Sequence, residues 1–110
     1  MAEFYKLNKL LGQYPQMNII IANTLKLADS KLIILFGSYA KFIAKKDSDI
    51  DLFIETRDQK LKEKIRTISS RVNLKTGTFS LSSALAKEII KEHVLIKGVE
   101  EFYEKTKLFG

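Results

Sequence analysis

The sequence predicts an α/β (α+β) domain, a small mixed β-sheet flanked by helices. Three observations lead there. Apolar residues recur at spacings of three and four in several segments, as in amphipathic helices. Residues 32–36 and 49–55 are short and β-prone instead. The two kinds of segment alternate along the chain, which is the order of a sheet with helices packed on it. A length of 110 residues suits one domain, 1–110, and leaves no room for two.

Taken in order, residues 3–11 read as a short helix, and 1–14 as a whole can be the remnant of an upstream segment. Pro15 suits the first turn of a helix. In that helix Met17, Ile20, Ile21, Thr24, Leu25 and Ala28 share one face, and Asp29-Ser30 ends it. The unbroken apolar run 32–36 predicts a central strand covered on both faces, stopped by Gly37. One helical turn is expected over 39–44, then a polar loop over 45–48. The second strand, 49–55, alternates Asp49, Asp51 and Phe53 with Ile50, Leu52 and Ile54. Thr56 and Gln59 have capping-box spacing for a helix whose apolar stripe is Leu61, Ile65, Ile68 and Val72. A third strand begins over 71–75, with a turn at Gly77. Ser82 or Ser83 caps a helix carrying Leu85, Ile89 and Ile90. A short strand over 94–96 ends at Gly98, and 99–108 is an amphipathic, helical tail.

A hydrophobic fraction of 45% is enough to bury a core. Cysteine is absent, which excludes disulfides and thiolate metal sites and agrees with a reducing, cytoplasmic setting. No stretch approaches the roughly 20 apolar residues that cross a bilayer, so no membrane role is expected. Runs such as 19–22 and 32–36 are too short for a signal-peptide core. A net charge of +6 attracts phosphates on nucleotides, nucleic acid or anionic lipid. It equally describes a solvated lysine-rich surface, and no aromatic-and-basic motif supports nucleic acid.

The chemistry concentrates between positions 35 and 53. Asp49 and Asp51, two apart on a predicted strand, project from one face with Cα atoms about 7 Å apart. Like charges held that close raise each other's pKa. A divalent cation removes the conflict, and carboxylate oxygens suit Mg²⁺, which also accepts phosphate oxygens. Gly37-Ser38 follows the buried strand. The glycine permits a sharp turn and close backbone approach, and the serine hydroxyl donates to a phosphate oxygen. An isolated Asp-x-Asp or Gly-Ser is ordinarily just a strand end or a turn. Here Gly-Ser, a ten-residue spacer and Asp-x-Asp stand in one sequence, which brings a phosphate cradle beside a metal site.

Leu35-Phe36-Gly37-Ser38-Tyr39-Ala40-Lys41 and Asp47-Ser48-Asp49-Ile50-Asp51-Leu52 resemble the signature of the DNA polymerase β-like nucleotidyltransferase superfamily, in particular its minimal nucleotidyltransferases. The resemblance implies NTP binding, usually ATP, with two Mg²⁺ ions, and transfer of a nucleoside monophosphate to a hydroxyl acceptor with release of pyrophosphate. It makes Asp49 and Asp51 the metal ligands and catalytic carboxylates. Gly37 and Ser38 would hold the β/γ-phosphates, with Lys41 and Ser48 beside the nucleotide. It also implies a HEPN-type partner protein, as in toxin–antitoxin pairs whose antitoxin adenylylates its partner. Two positions depart from the pattern. Phe42 stands where glycine is frequent, and Val72-Asn73-Leu74 stands where a third carboxylate is usual. Asn73 brings no charge, so one ion is better supported than two, and transfer is expected to be weakened. The alternative is a non-catalytic nucleotide-binding or interaction module, antitoxin-like beside a HEPN-type protein. Self-association is open as well.

Other residues give weaker signals. Glu55 shares face parity with Asp51 but lies further along the strand. Lys45 and Lys46 join Lys41 in the spacer. His93 has no second histidine or cysteine for a metal and is expected to pack. Tyr39 can stack on a base or pack under the loop. Phe102-Tyr103 and Phe109 are expected to dock the tail or a partner.

Overall fold

The apolar run at 32–36 forms the strand around which the rest is assembled. The computed structural model describes residues 2–106, and the run becomes β1 (Ile33–Phe36), buried at every position. Helices α1 (Ala2–Gln13) and α2 (Met17–Leu27) precede it. After it come α3 (Gly37–Ala40), β2 (Ile50–Glu55), α4 (Leu61–Arg66), β3 (Val72–Gly77), α5 (Ala84–Lys91), β4 (Val94–Lys97) and α6 (Val99–Thr106). The sheet runs β3-β2-β1-β4. β1 is antiparallel to β2 and β4, while β3 lies parallel to β2. A parallel neighbour needs a crossover, and α4 lies within that connection. The mixed sheet with flanking helices is the architecture expected from the sequence.

Alternation along the strands sorts the core into two layers. Ile33, Leu35, Ile50, Leu52, Ile54 and Leu74 pack with Leu10, Met17, Ile21, Leu61 and Ile65. Leu32, Ile34, Phe36, Phe53 and Leu95 pack with Phe79, Ala86, Ile89 and Phe102. β1 faces both layers, which is why its sequence is apolar without alternation. β2 faces both as well, but Asp51 and Glu55 break its second face at either end of Phe53.

The element ends differ from expectation where local hydrogen bonding competes. The capping box at Thr56 and Gln59 does not form. Thr56 Oγ1 accepts from Asp58 N at 3.1 Å and Asp58 Oδ1 from Lys60 N at 2.9 Å, two tight side-chain turns that postpone the helix to Leu61. α4 is therefore short. Leu61 and Ile65 fill its stripe, Ile68 packs beyond its end, and Val72 opens β3 instead. The turn expected over 39–44 starts two residues earlier, at Gly37, and ends at Ala40. Asp49 sits just before β2 rather than inside it. Leu25, placed on the buried face of α2, is 41% exposed, while Met17, Ile21, Thr24 and Ala28 are buried. Gly77 closes β3 instead of following it. Ser83 is the cap of α5, its Oγ accepting from Ala86 N at 3.0 Å. The expectations for Leu108 and Phe109 lie outside the described residues.

Candidate functional site

The site is built where three strands end together. Phe36, last in β1, stands opposite Asp51 across the antiparallel ladder, and Asp51 stands opposite Asn73 across the parallel one. The chain leaving β1 must therefore pass over the Asp51 carboxylate. It does so at Gly37, whose φ is +72°. A β-carbon there would run into Asp51 Oδ2. Left-handed backbone and lack of space both require glycine. Ser38 follows, half-buried, with its hydroxyl free of hydrogen bonds among the described residues. Its carbonyl accepts from Ile43 N at 3.1 Å and folds the spacer back on itself.

Asp51 is partly buried, and this burial pushes its carboxyl above the ordinary value of 3.8. The Asn73 amide opposes the shift by donating to Asp51 Oδ1 at 3.1 Å. The charges of Asp49 and Glu88 push the same way as burial, and Lys75 opposes them. Asp51 is thus a carboxylate short of positive charge, a condition that a cation corrects.

The sequence pattern of the polymerase β nucleotidyltransferase family matches residues 18–102, more than half of the chain. The chain belongs to that family. A chain from the crystal structure of a toxin-antitoxin with AMP-PNP superposes with a TM-score of 0.52, covering 94% of this chain and 79% of its own length at 22% identity. At that identity the likeness speaks for the fold. No curated protein matches the chain.

For a nucleotidyltransferase, the predicted site residues divide into two groups. Gly37, Asp51 and Asn73 are in direct contact or paired, and Asp49 acts on Asp51 through its charge. Ser48 and Lys41 lie in the spacer. Ser48 Oγ accepts from Lys45 N at 2.8 Å, which organises the turn before Asp49. Lys41, Lys45 and Lys46 are exposed, and Arg71 bonds the Lys46 carbonyl while approaching Asp47 at 3.8 Å. Glu55 is engaged elsewhere, accepting from Phe79 N at 2.9 Å and pairing with Lys105 at 3.2 Å. Tyr39 is buried edge-to-face against Tyr14, so it packs. His93 is buried as well, beside Glu3 and Phe102. Tyr103 donates to Glu3 at 2.7 Å and Phe102 is fully buried, so this pair docks the tail.

Glu88 is the residue that sequence reasoning missed. It stands on the exposed side of α5, one position before buried Ile89, and nothing in its spacing points to Asp51. Among the described residues, no three His, Cys, Asp or Glu side chains are grouped to hold a metal. Asp49 and Asp51 are the two carboxylates that would hold one hard cation, which would neutralise their mutual repulsion. Asn73, which presents an N–H to Asp51, does not fit a second.

Proposed function

We propose that this nucleotidyltransferase domain binds an NTP, ATP first among them, together with one Mg²⁺, and transfers the nucleoside monophosphate slowly to a hydroxyl on a partner protein. The observation that carries the reading is the packing of left-handed Gly37 onto the charge-starved Asp51 carboxylate directly after a buried strand. In a cytoplasmic setting both NTP and Mg²⁺ are at hand. Mg²⁺ would be held by Asp49 and Asp51, and it supplies charge neutralisation on the phosphates. Gly37 lets the backbone approach the triphosphate, and the unengaged Ser38 hydroxyl donates to it. Lys41 and Ser48 border the same loop. In the transfer, the acceptor oxygen bonds the α-phosphorus, the bond to the bridging oxygen breaks, and pyrophosphate leaves with its electron pair. The acceptor proton passes to water, because Asn73 cannot take it.

Likeness to a chain of a toxin-antitoxin with AMP-PNP supports a protein partner, and the resemblance to minimal nucleotidyltransferases favours a HEPN-type one. A non-catalytic nucleotide-binding module is the second reading, favoured by the Asn73–Asp51 hydrogen bond in the slot of a third carboxylate.

Calorimetry with MgATP and transfer of α-labelled ATP separate the two. The native chain is expected to bind MgATP and to label an acceptor slowly. Asn73→Asp places a carboxylate where the amide now touches Asp51 and is expected to raise labelling by about 10²-fold or more, the scale of positioned proton transfer. Labelling absent from both proteins, with binding intact, favours the second reading. Absence of MgATP binding overturns both.

A further inference from the structure

β3 is an edge strand. It pairs with β2, and among the described residues no strand lies on its other side. A cavity of about 130 Å³ lies against it, lined by Lys62, Arg66, Val72, Asn73, Leu74 and Lys75. Strand side chains alternate between faces, so four consecutive residues border one cavity only where it follows the strand's edge. Val72 and Leu74 belong to the layer of α4, and Asn73 to the face of Asp51. The cavity takes residues from both faces and so wraps the edge.

Its charge is uniform. Lys62 and Arg66 stand one turn apart on α4, and Lys75 extends from β3. None of the three forms an ion pair among the described residues. Natural sheets commonly protect an open edge with charge, but here three unpaired cations border a concavity that leads to the site. Asn73 belongs to both, lining the cavity and donating to Asp51 at 3.1 Å.

We propose that the free edge of β3 receives an acidic, extended segment of a partner protein, added as a further strand, which presents a hydroxyl side chain beside Asn73 toward Asp51. The hydroxyl's fate rests on the transfer reading above; the docking does not. Strand addition satisfies the outward N–H and C=O groups of β3, and pockets at the edge select the side chains. Acidic residues on one face of the added strand meet Lys75, and those on the other meet Lys62 and Arg66. A nucleic acid strand would satisfy the cations but not the row of backbone groups, and the cavity lining offers no aromatic ring for a base to stack on.

The test uses the full chain, without nucleotide, and a fluorescent peptide of alternating glutamates around a central tyrosine. Anisotropy is expected to show binding that weakens about tenfold in Lys62→Glu/Arg66→Glu, a double reversal at two exposed positions. Methylating the peptide's backbone nitrogens along one edge is expected to abolish binding, and amide resonances of β3, not β4, should shift. Equal affinity in the double variant, equal binding of the methylated peptide, or tighter binding of an oligothymidylate at the same residues overturns the proposal. Adding MgATP separates the two readings. A peptide that binds but is never labelled leaves the docking standing and counts against transfer. Labelling of another acceptor, with no peptide bound, overturns the docking alone.

Discussion

Asp51 is held between a glycine that must stay bare and an amide that cannot ionise, and both shape its behaviour. Its carboxyl titrates above the ordinary 3.8, first through burial and then through Asp49 and Glu88. A raised carboxyl pKa means the folded chain holds its proton more tightly than the unfolded chain. Ionisation of Asp51 therefore lowers stability as pH rises from that ordinary value through the folded one. Asp51→Asn keeps an acceptor for Asn73 while removing the charge. Its thermal midpoint at neutral pH is expected to rise above that of the native chain, while MgATP affinity measured by calorimetry collapses. A variant that loses stability along with binding would show that the charge is already compensated in the fold. Gly37→Ala is expected to behave in the opposite way. The new methyl displaces the Asp51 carboxylate and must adopt left-handed backbone at about 1–2 kcal/mol, so urea denaturation should record lower stability together with weaker nucleotide binding.

At the level of elements, the spacer between α3 and β2 is where sequence and structure diverge most usefully. Phe42 adopts φ +61°, the only non-glycine residue with positive φ among the described residues. It occupies the position where the resemblance leads one to expect glycine. The backbone there has the left-handed shape that glycine adopts most readily, carried here by a bulky side chain. Its ring packs against the core and lies 4.8 Å below the Lys9 ammonium, contacts that offset about 1–2 kcal/mol of left-handed strain. Phe42→Gly removes both strain and contacts. Its stability is expected to stay within about 1 kcal/mol of native in urea melts, with faster hydrogen exchange across 41–48. A loss far beyond that would assign the loop's shape to the ring alone. The core strands and the Gly-Ser to Asp-x-Asp spacing were readable because apolar patterning and local motif carry their own periodicity. The failure of the expected capping box at Thr56, the early start of α3 and the role of Glu88 were not. The first two turn on which of several short-range hydrogen bonds wins. The last depends on where α5 docks, to which no local spacing points.

Across the whole molecule, a small polar cluster joins the two ends of the chain. Glu3 lies within 2.9 Å of Lys6 and 3.3 Å of His93, and accepts from Tyr103 at 2.7 Å. His93 also contacts the Ile89 carbonyl at 2.8 Å. Burial lowers the His93 pKa, with Lys6 adding to the effect and Ile89 and Glu3 opposing it. Burial would raise Glu3, but Tyr103, Lys6 and His93 together hold it below 4.5. Both shifts have the same consequence. The unfolded chain takes up protons first, at His93 as pH falls below about 6.5 and at Glu3 below about 4.5. Thermal midpoints are expected to fall from pH 7 to pH 5 in the native chain and to flatten over that window in His93→Gln. A native profile that is level down to pH 5 would mean that Glu3 stabilises protonated His93 in the fold.

Helix α1 precedes the stretch that carries the family pattern, yet it reaches the spacer in three places. Tyr14, just past its end, accepts a hydrogen bond from Ala44 N at 3.0 Å, Gln13 bonds the Phe42 carbonyl at 3.3 Å, and Lys9 caps the Phe42 ring. These contacts restrict the segment joining Ser38 to Asp49 before any nucleotide arrives. Ordering a loose loop costs entropy at the moment of binding, and a loop already ordered is spared most of that cost. In the proposed binding mode, the affinity available to Gly37, Ser38 and the two aspartates would be set in part by contacts from α1 to the spacer, through freedom lost in advance.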